Sequence, residues 1–133
     1  MPPLLALLSM TKAETALAEL TEISSQIEAA VLVDAKGAVA ASTLPDERAA
    51  RLASSARAVL DSAKEVRDGE LTQLEVASEE GSLFVVREGD RLIAATAGPE
   101  PTAGLVFYDL RSSLRKATER KKPTKRGKTS GSS

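Results

Sequence analysis

Three arginines, Arg48, Arg51 and Arg57, punctuate an alanine-rich run, DERAARLASSARAVLDSAKEV, spanning Asp46–Val66. Guanidinium groups on a helix can meet a carboxylate or phosphate of a partner in a planar, two-pronged contact. The same side chains also suit a solvated helix face, paired locally with Glu47 or Asp61. Beyond them, the chain is poor in reactive groups. It has no histidine and no cysteine, which removes the usual zinc ligands and the commonest general base. Carboxylates, lysines, serines and one tyrosine remain, and Tyr108, next to Phe107, reads as the edge of a core. Gly127-Lys128-Thr129 imitates the end of a phosphate-binding loop, but Lys122 stands where that loop needs its first glycine. The loop would also need a strand before it and a helix after it, and neither is visible. No nucleophile-elbow, zinc-protease, paired-cysteine or calcium-loop pattern occurs. The expectation is therefore no catalytic residue, no cofactor, no metal and no enzyme.

Composition narrows the class further. Without cysteine there is no disulfide framework, and a cytoplasmic protein is expected. The opening MPPLLALLS has an apolar run only from Leu4 to Leu8, no basic flank and no small-residue cleavage site, so it reads as an N-terminal extension. Residues 119–133 carry six basic side chains against Glu119, a net of +5, while the whole chain is −1. An acidic domain thus precedes a basic tail. The tail KKPTKRGKTSGSS has too little apolar surface to fold and reads as disordered. The division expected is 1–10 extension, 11–118 domain, 119–133 tail.

Positioning the arginines is the work of the elements between. Thr11 and Glu14 form a capping box. Behind it, Ala13, Leu17, Leu20, Ser24 and Ile27 make one buried helical stripe, flanked by Ala16 and Ile23. Ala30–Val33 and Val39–Ser42 read as strands joined by a turn built on Asp34 and Gly37. Pro45-Asp46 opens the long helix, with Asp46 as candidate N-cap and Asp68-Gly69 as its stop. Its apolar row is Ala49, Leu52, Ala53, Ala56, Val59, Leu60, Ala63 and Val66. The strand Leu71–Ala77 alternates, as an exposed edge does, while Leu83–Val86 and Leu92–Ala97 are apolar on both faces. Pro101 fits the first turn of a last helix, with Val106, Leu110, Leu114 and Ala117 on one side. Strands covered on both faces require the long helix on one side of the sheet and two shorter helices on the other.

This order, over roughly Thr15 to Ala117, resembles the roadblock/dynein light chain family. The resemblance rests on Leu17-Ala18-Glu19-Leu20, on Val31-Leu32-Val33-Asp34 with Gly37, on the helix from Asp46, and on the meander GSLFVVREGDRLIAATAG. It implies an α+β fold with a five-stranded antiparallel sheet. It also implies homodimers or heterodimers in which third strands pair edge to edge and second helices lie side by side. Leu71, Gln73, Glu75, Ala53 and Ala56 would then line the dimer interface. Members of the family bind or regulate small GTPases, so Arg48, Arg51, Ser54, Ser55 and Arg57 become candidates for GTPase binding. Two other readings stay open. One is a ligand-sensing domain of related fold, which needs a pocket with convergent polar groups. The other is a nucleic-acid or anionic-membrane adaptor acting weakly through the tail.

Overall fold

A computed structural model describes residues 11–66 and 72–118. The elements in order are α1 (Lys12–Ile23), β1 (Ile27–Val33), β2 (Val39–Ser42), α2 (Asp46–Val66), β3 (Gln73–Ala77), β4 (Ser82–Glu88), β5 (Arg91–Ala97) and α3 (Ala103–Thr118). The strands form one sheet in the order β2-β1-β5-β4-β3, and every neighbouring pair is antiparallel. The N-terminal extension 1–10, the Asp68-Gly69 stop, Leu71 and the tail 119–133 lie outside the described residues.

Alternation along the central strands divides the interior in two. On one face Leu32, Phe84, Val86, Ile93 and Ala95 meet Leu17 and Leu20 of α1 and Val106, Leu110 and Leu114 of α3. On the other, Val31, Val33, Val85, Leu92 and Ala94 meet Ala49, Ala56 and Leu60 of α2. One long helix on one face and two shorter ones on the other is the arrangement the two-sided apolar strands demanded. The Phe84 ring, fully buried, meets Phe107 edge-on at 5.0 Å between centroids, the geometry aromatic quadrupoles favour. On the same side α1 and α3 run parallel. The buried Ser113 hydroxyl donates to the Ala16 carbonyl at 3.2 Å, and three residues on Lys116 pairs with Glu19 at 2.9 Å.

Local chemistry explains the turns. Asp34 Oδ1 accepts from the Lys36 and Ala38 N–H groups at 2.9 and 3.0 Å, and Gly37 takes φ +87°, where a Cβ would be strained. Gly81 is needed for a different reason. A Cβ there would stand 2.6 Å from the Ala97 carbonyl oxygen.

Several boundaries differ from expectation. Helix α1 ends at Ile23, where Ser24 turns extended, so Ile27 belongs to β1 and Ile23 is 65% exposed. Pro45, not Asp46, holds the capping position of α2, since its carbonyl accepts from the Ala49 N–H at 2.8 Å. Asp46 sits in the first turn, where a carboxylate still faces the positive end of the helix dipole. For α3 the cap is Thr102, whose carbonyl accepts from Val106. Pro101 lies just before it.

The capping box at Thr11 is formed as expected. The Glu14 N–H donates to the Thr11 hydroxyl and the Thr11 N–H to the Glu14 carboxylate, both at 3.0 Å. Thr11→Ala is expected to cost about 1 kcal/mol, read as a lower denaturation midpoint at unchanged m-value.

Candidate functional site

The second face of the sheet is only partly roofed. Helix α2 lies over β1, β2, β4 and β5, and beyond it the alternation of β3 continues onto open surface. Leu74 pairs with Val85 and Val76 with Leu83, so all four share the α2 face. Leu74 and Leu83 are half-buried, and Val76 is 44% exposed. A cleft of about 360 Å³ runs beside them, lined by Val76, Leu83, Thr96, Ser78 and Gly81 among others.

The outer side of β3 pairs with no strand among the described residues. The Thr72 carbonyl accepts from Arg87 and the Ser78 N–H donates to Gly81, so even-numbered residues bond to β4. In an antiparallel ladder the alternate residues point the other way. Gln73, Glu75 and Ala77 therefore turn their N–H and C=O groups outward. The expected edge strand is present, and two of its three expected interface residues, Gln73 and Glu75, head that open row. Leu71, the third, lies outside the described residues.

Helix α2 sorts the remaining candidates by angle, at about 100° per residue. Ala56 is fully buried, so its methyl belongs to this chain's own core, and its expected place in an interface is corrected. Alanine at that position lets α2 sit close on the sheet, and closeness removes it from the surface. Ala53 is half-buried and packs against the same core. Leu52, Val59 and Ala63 are half-buried as well and fall in one row along the helix. Arg48 and Ser55 are exposed and border that row. Arg51 and Ser54, also exposed, lie side by side further out on the helix, and Arg57 falls on the opposite flank. The five candidates thus spread across the exposed side of α2, from Arg48 beside the row to Arg57 across from it. Arg51 and Glu47 make a surface pair at 3.8 Å, one helical turn apart, which leaves the guanidinium mostly in solvent.

Tyr108 is 64% exposed on α3, so its place at the core edge is corrected; Phe107 takes that role. A second cleft, of about 330 Å³, lies between the β4–β5 turn and α3, lined by Thr72, Arg87, Glu88, Arg111 and Arg115 among others. Both clefts are near the small end of ligand pockets. Among the described residues no group of carboxylates is placed to hold a metal ion, and no helix is long and apolar enough to cross a membrane. The half-buried apolar row on α2 and the exposed Val76 were not singled out as binding surface from sequence. Their signal was present as apolar residues in excess of what one sheet face can cover.

Comparison with known families places residues 12–97 in the Roadblock/LC7 domain model. The chain belongs to the Roadblock/LC7 family, whose members are in general non-enzymatic regulators. Solved structures agree on the fold. A Roadblock/LC7 domain from Streptomyces avermitilis is 22% identical with a TM-score of 0.66, covering 77% of this chain and 91% of that one. MglB of Myxococcus xanthus is 19% identical with a TM-score of 0.62, covering 80% and 85%. The gliding protein MglB of Thermus thermophilus is 22% identical with a TM-score of 0.59, with the same coverages. Comparison with curated proteins found no significant match. Helix α3 lies beyond the family match and within the described fold.

Proposed function

We propose that this chain is a non-enzymatic scaffold that dimerises through β3 and α2 and binds a small GTPase on the α2 surface. The observation that carries the reading is the outward row at Gln73, Glu75 and Ala77 beside an unroofed apolar strip. An open edge next to exposed apolar surface is a liability that proteins pair or cover. A second copy satisfies both demands at once, because a two-fold axis places the same edge and the same strip opposite themselves. The family membership supports the assembly, and one MglB structure is described as a tetrameric arrangement.

The GTPase reading follows from what dimerisation would leave outside. Arg48, Arg51 and Ser55 remain on an exposed flank of α2, duplicated across the axis. Such a surface suits a partner whose loops change order with the bound nucleotide. Nucleotide would be held by the partner, because this sequence has no phosphate-binding loop. The test is co-purification with small GTPases of the same cell, loaded with GDP or a GTP analogue. Nucleotide-dependent retention supports the reading. Retention of none in either state overturns it, as would a monomeric mass at micromolar concentration for the scaffold half.

The basic tail belongs to a separate proposal, a solubilising arm. Deleting residues 121–133 is expected to leave folding and dimerisation unchanged. Any binding to nucleic acid or anionic vesicles should disappear with the deletion and fade as salt rises, because charge without stacking groups binds only through screened electrostatics.

A further inference from the structure

The open edge carries an imbalance of charge on its α3 side. Gln73 pairs with Val86 and Glu75 with Phe84, and both of those residues lie in the core beneath α1 and α3. Gln73 and Glu75 therefore present their side chains on that same face, and both are exposed. There the Arg111 guanidinium donates to the Gln73 amide oxygen. Among the described residues neither Arg111 nor Glu75 forms an ion pair. A cation held by a neutral amide thus stands near an unneutralised carboxylate, one strand repeat along, about 7 Å.

A second copy removes the imbalance in one register. Outward backbone groups belong to Gln73, Glu75 and Ala77, so a two-fold axis must match these residues among themselves. Within β3, Glu75 can face its own copy, Ala77 or Gln73. Its own copy sets like charges directly opposite each other, which is destabilising. Ala77 offers no side-chain donor. Gln73 does: its oxygen is taken by Arg111, so its NH2 group is the part left to donate. Residues directly opposite have Cβ atoms about 5 Å apart, within reach of such a bond. On the α2 face this register sets Leu74 against its own copy at a non-hydrogen-bonded position, where side chains approach closest.

We propose that Gln73 of each copy faces Glu75 of the other, with Arg111 behind the amide, so that two Arg111–Gln73–Glu75 relays cross the dimer axis. This register presupposes the β3-paired dimer proposed above and adds a rule of partner choice to it. The edge accepts an antiparallel strand that brings a carboxylate opposite Gln73, and a second copy of this chain brings one. A strand with a cation at that position is refused, because it meets Arg111.

Charge reversal tests the relay. In a homodimer of Glu75→Lys, Arg111 meets lysine twice; in a homodimer of Arg111→Glu, the new carboxylate meets Glu75 twice. Each variant, its fold checked by circular dichroism, should dimerise about tenfold more weakly in sedimentation equilibrium. Mixed in equal amounts, the two form a heterodimer whose relays both join unlike charges. Its affinity should return to within about threefold of the unmodified dimer. Salt of about 0.15 M confines the comparison to contact distances, since it screens charges beyond about 8 Å. Glu75→Gln, which reverses nothing, should weaken the dimer a few-fold, roughly the loss of one exposed charged contact per relay. A mixture no tighter than its components would overturn the proposal, because a contact within one chain is not repaired by a second. A tighter dimer for Glu75→Gln would also overturn it, by placing Glu75 against its own copy. A monomeric unmodified chain would overturn the dimer itself, a result seen before any variant is compared.

Discussion

Gln73→Pro is expected to convert the dimer to monomer while leaving the monomer folded. The Gln73 N–H points away from β4, because its neighbour Thr72 is the residue bonded to Arg87. Proline therefore removes no bond of the sheet within one chain. Across a two-fold axis the same change occurs twice, and each copy leaves a partner carbonyl without its donor. Two lost ladder bonds, with desolvation of the groups left behind, amount to roughly 3 kcal/mol or more. That corresponds to on the order of a hundredfold in the dissociation constant. The Gln73 side chain also accepts a hydrogen bond from Arg111, so Gln73→Ala is the control for that contact. Sedimentation equilibrium should show Gln73→Ala still dimeric and Gln73→Pro monomeric at the same concentration. Two variants of equal mass distribution would remove β3 from the interface.

How far this surface could be read from the residues depends on the length scale involved. Leu32, Phe84, Ile93 and Leu110 declare themselves by periodicity, because a strand repeats every two residues and a helix every 3.6 or so. The Asp34–Gly37 turn declares itself by chemistry, since only certain side chains bond their own turn or tolerate positive φ. Ile27 reads as helical in the sequence because an i, i+3 step from Ser24 satisfies a helical stripe as well as a strand start. What separates them is the extended backbone of Ser24, a choice made by pairing Ile27 with Ala97, seventy residues away. Ala56 shows the opposite difficulty. A small residue near the middle of a helix suits its own sheet and a partner helix equally well, and only the depth of α2 over β1 decides. Tyr108 is a third case, because adjacent aromatics on a helix point about 100° apart and only Phe107 enters the core. The five binding candidates were legible as an exposed set, but their spread from the apolar row to the opposite flank follows from which face of α2 the sheet takes.

That spread makes the functional proposal testable in finer form. Arg48→Glu with Arg51→Glu should weaken the complex with a GTPase at least about tenfold, chiefly through slower association and lost charge complementarity. The helix itself should tolerate both changes. Arg48 lies near its start, where added negative charge meets the positive dipole end favourably. Losing the Arg51–Glu47 pair for a like-charge pair costs only a few tenths of a kcal/mol, roughly, on an exposed face. Dimerisation should be unchanged, since neither side chain belongs to the β3 edge or to the half-buried side of α2. Arg57 supplies the contrast, being equally exposed on the same helix but lying across from the Leu52, Val59 and Ala63 row. Arg57→Glu should alter affinity much less if the partner docks along that apolar row. Affinities measured by biolayer interferometry for the three proteins, at two salt concentrations, separate the cases. A larger loss from Arg57→Glu would move the docking surface to the Arg57 flank, and equal small losses would take the arginines out of the interface altogether.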